Sequence, residues 1–252
     1  STSPDVRAIQ LQPDGKILIG GFFNSTGPGA GRNLMRLNSD GTADAAFNGE
    51  VSVDSDKKVR AFGLQADGKI VIGGNFTNVN EVIRNGVARL NSNGTIDSGF
   101  DPRVGVSGDV YALAILGDGK VLIAGSFSKF DGVAHDNVAR LNQDGSLDTS
   151  YSSGGGAEGW INSLALQPDG KVVLGGNFAH FAGITRGRIA RLNQDGSLDT
   201  GFAAGAGANA QIMSVGLHRN GNVVIGGFFT TVDDQDFSMV ARLLNSVTLT
   251  KF

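Results

Sequence analysis

An Asp-Gly-Lys triplet recurs along this chain at Asp14-Gly15-Lys16, Asp67-Gly68-Lys69, Asp118-Gly119-Lys120 and Asp169-Gly170-Lys171, and weakens to Asn220-Gly221-Asn222. The spacing is 53 residues once and 51 thereafter. Other landmarks keep the same phase. Phe23, Phe76, Phe127, Phe178 and Phe229 each close a GGxF-like segment, and Arg36, Arg89, Arg140, Arg191 and Arg242 each sit in an ARL-like one. Self-similarity at such a period means one supersecondary unit copied in series. Each copy is too small to bury its own apolar surface, so neighbours must stack.

Each unit reads as four short strands, A to D. In the fourth, INSLALQ (A) meets KVVLGGNF (B) across the turn PDG. After a loop, GRIARLN (C) meets SLDTGF (D) across QDG. Val, Ile, Leu, Thr and Phe dominate these runs, and no unit carries apolar residues at helical spacing, so almost no helix is expected. A unit of about 50 residues with four antiparallel strands has the size of a propeller blade. The expected architecture is an all-β, five-bladed β-propeller with four antiparallel strands per blade and about 51 residues per repeat, one domain over 1–252 with repeats near 6–58, 59–109, 110–160, 161–211 and 212–252. A β-solenoid would need parallel strands and shorter coils, and six or seven blades would need more chain. The chain opens on a strand A (Val6 to Gln12) and ends on a candidate strand D (Val247 to Phe252), so each blade would come from one repeat. The last unit, ARLLNSVTLTKF, lacks the Asp-Gly turn, which leaves ring closure the least determined feature.

Composition narrows the functional classes. With 39 Gly but only 5 Pro, the glycine excess belongs to tight turns rather than to a collagen-like repeat. A net charge of −3 argues against nucleic acid or an anionic membrane as the main partner. There is no long apolar run to insert in a membrane. Cysteine is absent, so there is neither a disulfide nor thiol chemistry. The start at STSPDV reads as a domain boundary, with any secretion signal outside it.

The combined pattern LQPDGKxxxGGxF…ARLNxDGSLDxxF resembles the delta-sixty repeat, a bacterial β-propeller family of unknown function. Its markers here are Asp169-Gly170-Lys171, Ala190-Arg191-Leu192-Asn193 and Asp195-Gly196-Ser197-Leu198-Asp199, with counterparts in units one to three. The resemblance implies a propeller module of a larger secreted or surface bacterial protein, hence an extracellular or cell-surface location. It implies no catalytic residues.

The repeated residues have structural reasons to recur. Glycine in the A–B and C–D turns supplies positive φ, and the aspartate before it bonds back onto the turn. NQDGSLD also suggests calcium, because Asn142, Asp144, Ser146 and Asp148 offer four oxygens. A calcium ion takes about six to eight, and this stretch has neither the spacing nor the terminal Glu of an EF-hand loop. The turn is preferred; no cofactor is expected, with calcium as the minority reading. The in-phase Arg are expected to bond buried carbonyls or the repeated Asp44, Asp97, Asp148 and Asp199. Phe47, Phe100, Tyr151 and Phe202 are expected between blades.

Where the repeats agree they serve the fold, so function is sought where they differ. The B–C connections (NSTGPGAGRN, TNVNEVIRNG, SKFDGVAHDN, AHFAGITRGR, TTVDDQDFSM) and the D–A connections (NGEVSVDSDKK, DPRVGVSGD, SSGGGAEGW, AAGAGANAQ) share one face of a propeller. Trp160 stands at the mouth of strand A, where its equivalents are Asp5, Lys58, Asp109 and Gln211. An unmatched aromatic there suits sugar stacking or peptide docking. Just inside lie Arg7, Arg60, Tyr111, Asn162 and Met213, different in every repeat. The candidate ligand-binding set is Trp160, Tyr111, Arg60, Arg7, Asn162, Asp109, His135 and His180. The two histidines sit in neighbouring B–C loops, where an acid/base or metal role competes with plain solvation. Asp233, Asp234 and Asp236 form an acidic loop whose default is a solvated surface. No HExxH or nucleophile-elbow pattern occurs. The sequence thus favours a non-catalytic binding, adhesion or protein-interaction module for a carbohydrate or a protein/peptide ligand, as a monomer or part of a larger chain. A propeller hydrolase or lyase with its site at the channel mouth, or a structural spacer, are the alternatives.

Overall fold

The computed structural model describes residues 4–25, 29, 31–54, 56–202, 206–243 and 249–250. Parts of the first B–C connection (26–28 and 30), of the last D–A connection (203–205) and of the final segment therefore lie outside the described residues.

Five antiparallel sheets follow one another along the chain, each built from A, B and C strands in that order. The first contains Asp5–Leu11, Ile17–Asn24 and Arg32–Leu37. The second contains Val59–Leu64, Ile70–Gly74 and Val87–Leu90. The third contains Val106–Ile115, Val121–Phe130 and Val138–Leu141. The fourth contains Ile161–Leu166, Val172–Gly176 and Ile189–Leu192. The fifth contains Ile212–Leu217, Val223–Gly227 and Val240–Leu243, with Leu249–Thr250 pairing at its edge. Each A strand packs on the A strand of the next sheet, so the A strands line the inside of the assembly. Four apolar clusters fill the four junctions between consecutive sheets.

The B strands explain the stacking. Ile70, Val71 and Ile72 are fully buried on both faces, as are Leu122, Ile123 and Ala124. A strand buried on both faces reads as a continuous apolar run and needs a sheet on either side. The expected inter-blade aromatics are there. Phe47, Phe100, Tyr151 and Phe202 are buried, one in each junction cluster.

The A–B turns are three-residue hairpin loops. In the first, Gly15 N donates to Gln12 O (3.0 Å), Gln12 N donates to Lys16 O (2.8 Å), and Gly15 sits at φ +83°. The aspartate Oδ1 accepts the N–H two residues on: Asp14 from Lys16 and Asp118 from Lys120, each at 3.1 Å. The fifth unit keeps the bond with Asn220 accepting from Asn222 N.

Strand D departs from expectation. In the first four repeats it touches its sheet through a single bridge: Leu37 to Ala43, Leu90 to Ile96, Leu141 to Leu147 and Leu192 to Leu198. The following aspartate ends it. Asp97 Oδ1 accepts Gly99 N (2.9 Å), Asp148 accepts Ser150 N (3.0 Å) and Asp199 accepts Gly201 N (3.1 Å), folding the chain into a turn that drops the aromatic into the core. In the first repeat the residues after Asp44 form a short helix instead, α1 (Ala45–Glu50), where little helix was expected. Ala-Ala favours helix where the other units carry Ser or Thr with a Gly or Ser. The B–C connections add small hairpins above the sheets: Asn78–Val79 with Val82–Ile83, His180–Phe181 with Ile184–Thr185, and Thr231–Val232 with Gln235–Asp236.

The recurring arginine sits in a two-cation clasp. Asp148 Oδ2 accepts Arg140 Nε (2.7 Å) and Lys120 Nζ (2.8 Å). Arg36–Asp44–Lys16, Arg89–Asp97–Lys69 and Arg191–Asp199–Lys171 repeat the arrangement. Each guanidinium stacks on the buried aromatic of its own unit, 4.2 Å from Phe47, 4.9 Å from Phe100, 4.6 Å from Tyr151 and 4.4 Å from Phe202. Arg36, Arg89 and Arg140 also donate to the next unit's C–D turn, at Ser92 O, Gln143 O and Gln194 O. One residue thus ties a strand, a turn, a core ring and the neighbouring sheet.

The ring is open. Among the described residues no apolar cluster joins the fifth sheet to the first.

Candidate functional site

Every A strand carries a β-bulge near its start, and in each case the extra residue is one of the variable set. Val59 pairs Gly74 and Ala61 pairs Gly73, which leaves Arg60 without a partner residue. Arg7, Tyr111, Asn162 and Met213 are left over in the same way. A bulge bends its strand and re-aims the side chain it carries. The bulge therefore gives five unlike residues one common display position.

The sequence carries the signal for this in a glycine shared by every B strand, the second of a Gly-Gly pair in four of them and of Ala124-Gly125 in the third. A Cβ on Gly74 would overlap Lys58 O, and one on Gly125, Gly176 or Gly227 would overlap Asp109 O, Trp160 O or Gln211 O. The carbonyls of the strand-mouth residues turn in over a glycine that has no side chain. Trp160 O there accepts Asn177 N at 2.8 Å. Gly176→Ala should lower stability by about 1–3 kcal/mol through overpacking and disturb the Trp160 backbone. Chemical denaturation together with the Trp160 fluorescence maximum would check both.

The structure draws part of the candidate set together. Arg60 Nη2 lies 3.3 Å from Asp109 Oδ2, and its guanidinium stands 5.0 Å from the Tyr111 ring, across the junction of the second and third sheets. Asp5 accepts Arg7 (2.6 Å) within the first sheet and Lys58 (3.1 Å) from the second. The Arg7 hydrogen bond, opposed by partial burial and reinforced by Lys58, holds the Asp5 carboxyl down to about 2. Asn162 Nδ2 donates to Ile212 O at 2.8 Å. Trp160 is 40% exposed at the fourth mouth. Arg60 Nε and Asp5 Oδ1 are buried with no hydrogen-bond partner among the described residues, so this row holds polar capacity that those residues do not use.

The histidines stand apart from this row. His180 Nδ1 lies 3.1 Å from Glu158 Oε2 at the surface. His135 lines a cavity of about 390 Å³ with Asp136, Thr149 and Tyr151, and burial lowers its pKa, which favours the neutral ring. The D–A segment runs between the two: Ala157 N donates to Asp136 O and Glu158 N to His180 O. They share no centre. Among the described residues no three metal-ligating side chains converge. The oxygens of NQDGSLD are occupied from within. Asp144 Oδ1 accepts Ser146 N (3.0 Å) and Oγ (2.6 Å), while Asp148 is held by its two cations. On the opposite, turn-bearing face, a cavity of about 880 Å³ opens between Leu116, Leu166, Leu217, Arg140 and Gln167.

Antiparallel sheets stacked through their faces, with A strands inside and stereotyped turns on one face, define a β-propeller architecture. The sequence matches the family described as "Domain of unknown function (DUF5122) beta-propeller" over residues 12–47, 65–100, 116–151 and 167–202, more than half of the chain, and the protein belongs to that family. No curated protein matches it significantly. Among solved structures it is similar to YCF48 bound to D1 peptide (TM-score 0.55, 12% identity, 99% of this chain and 67% of that one). It is also similar to virginiamycin B lyase from Staphylococcus aureus (TM-score 0.55, 13% identity, 98% and 69%). A third is PorZ, a bacterial surface component of the type-IX secretion system of Porphyromonas gingivalis (TM-score 0.51, 11% identity), where the matched region covers 93% of this chain and 33% of that one. At these identities the likeness is one of fold.

Proposed function

We propose that the five sheets act as five blades of a non-catalytic interaction module, of the delta-sixty type, within a larger secreted or surface bacterial protein. The ligand is a protein or peptide segment bound on the B–C/D–A face. The observation that carries this reading is the bulge row. One backbone device displays Arg60, Tyr111, Asn162 and Met213 at equivalent positions beside Asp109 and Trp160, and Arg60 Nε has no partner among the described residues. Rigid strands carrying unlike side chains make an asymmetric site, which suits one ligand rather than one copy per blade. Arg, Tyr and Trp are also the residues that dominate interface energetics. The peptide in the YCF48 complex and the surface role of PorZ are consistent with it and belong to those proteins.

Peptide and glycan arrays probed with the chain test the proposal. Binding to peptides that falls at least tenfold in Trp160→Ala and Tyr111→Ala, at unchanged melting temperature, is the expected result. Glycan binding with the same sensitivity would replace the ligand class. Blank arrays would leave a spacer role and overturn the reading. The module works without a resident ion in this proposal, so calcium at millimolar concentration should leave the melting temperature unchanged. A clear rise would restore the NQDGSLD loops as calcium sites.

A further inference from the structure

Just before its A–B turn, three of the five units carry glutamine, at Gln12, Gln65 and Gln167, whereas the third carries Leu116 and the fifth His218. The second unit shows what the glutamine does. Gln65 Oε1 accepts Arg89 Nη1 at 3.3 Å, and Gln65 Nε2 donates to Gly119 O of the next A–B turn at 3.2 Å. Its carboxamide bridges the clasp arginine of its own sheet to the turn of the following one. Gln167 is buried and accepts Arg191 Nη1 at 3.4 Å.

The third unit keeps both ends of this bridge and lacks its middle. Arg140 corresponds to Arg89, and Gly170 to Gly119. Arg140 Nη1 donates to Gln194 O at 2.7 Å, as Arg89 Nη1 does to Gln143 O at 2.7 Å. Each guanidinium Nη carries two hydrogens, and Leu116 has no oxygen to accept the second. Nor has it an N–H to give to Gly170 O. Arg140, Leu116 and Gly170 all line the cavity of about 880 Å³ on the turn-bearing face, where Leu166, Leu217 and Pro168 add apolar wall. That volume falls in the range of small-molecule pockets, about 300–1,000 Å³.

We propose that this cavity binds a small molecule bearing a primary carboxamide on an apolar body. The carbonyl oxygen accepts from Arg140 Nη1 and the amide N–H donates to Gly170 O, as the Gln65 side chain does one unit earlier. The body lies against Leu116, Leu166 and Leu217. A carboxylate fits less well. It has no hydrogen for Gly170 O, the Arg140 charge is already met by Asp148, and Asp118 and Asp169 stand in the same wall. The site lies on the face opposite the variable loops and does not depend on the ligand proposed there.

Methyl NMR titration of the 252-residue chain with hexanamide tests this. Saturable shifts of the Leu166 and Leu217 methyl signals are expected. N,N-dimethylhexanamide keeps the chain and the oxygen but has no amide hydrogen, so it should bind about tenfold more weakly, the effect of leaving one buried polar group unpaired. Leu116→Gln supplies the carboxamide from the chain itself. The variant should melt no lower than the wild type and should bind hexanamide about tenfold more weakly or not at all. A wild type without saturable shifts would overturn the proposal. So would equal affinity for the two amides, which is read on the wild type alone, or undiminished hexanamide binding in the folded variant.

Discussion

Asp148→Asn is expected to cost about 3–5 kcal/mol of folding stability, the range seen when one partner of a buried ion pair is removed. Asp148 is buried and accepts four hydrogen bonds, from Arg140, Lys120 and the Ser150 amide and hydroxyl. Asparagine keeps the size and loses the charge. Arg140 would remain over the Tyr151 ring with no anion beside it. Asp118→Asn is the matched control: Asp118 is exposed and its turn bond can be made by an amide, as Asn220 shows, so the change should stay within about 0.5 kcal/mol. Urea unfolding of the two variants decides. A cost for Asp148→Asn below about 1 kcal/mol would mean that the clasp is ornamental.

The same clasps set an acid limit. Hydrogen bonds from Lys16 and then Arg36, against the opposing effect of burial, hold the Asp44 carboxyl down to about 2. At Asp97 burial works upward and is outweighed by Lys69, the Gly99 amide and Arg89, again to about 2. Asp148 and Asp199 are lowered by the same balance. A carboxylate whose folded pKa lies below its unfolded one stabilises the fold above the unfolded value, and that contribution fades as pH falls to the folded one. Stability should therefore be level down to about pH 5 and decline between about pH 4 and pH 2, by about 2 kcal/mol for each of Asp44 and Asp97. Asp148→Asn should make the decline shallower, which acid titration by circular dichroism would show.

Phe100→Ala should remove about 3–5 kcal/mol. Phe100 is fully buried between the second and third sheets, where its cluster includes Val71, Val121 and Leu141 and where Arg89 covers its ring. Truncation leaves a cavity and takes away the platform of the guanidinium together. Val133→Ala, at an exposed hairpin position, should change stability by no more than about 0.5 kcal/mol. Because neighbouring sheets are coupled mainly through their shared junction, the loss should be concentrated there. Hydrogen exchange should quicken in Val71 and Ile123 before it does in Val223 and Ile225. Uniform acceleration along the chain would show a single cooperative unit instead.

The sheets, their order and their turns were legible because each device was written four or five times. A lone Asp144-Gly145 resembles a metal loop, whereas its copies in phase identify a hairpin. The Arg–Asp pairing was legible for the same reason. Strand D was misread because SLDTGF has strand composition, and its fate turns on one Asp side chain bonding the backbone two residues on. The Lys16, Lys69, Lys120 and Lys171 partners were missed because each lies 28 residues from its aspartate and reads as a turn residue. In the candidate site, the variable positions Arg7, Arg60, Tyr111, Asn162 and Met213 stand out in the sequence because they differ between repeats, whereas the bulge over a B-strand glycine that aligns them is a matter of strand pairing. His135 and His180 looked adjacent because their loops are, and the intervening D–A segment keeps them apart.

Local chemistry repeated at fixed spacing settled how each sheet forms and that sheets must stack, since turn glycines, alternating strands and two-sided B strands act over a few residues. Which sheet faces are covered is another matter. Val6 and Ile9 have the same character as Val59 and Phe62, and Val240 the same as Val138. Residues of the same character are core at four junctions and exposed on the outer faces of the first and fifth sheets. Only the tertiary arrangement separates them, because burial belongs to the sheet that arrives and not to the residue that waits for it.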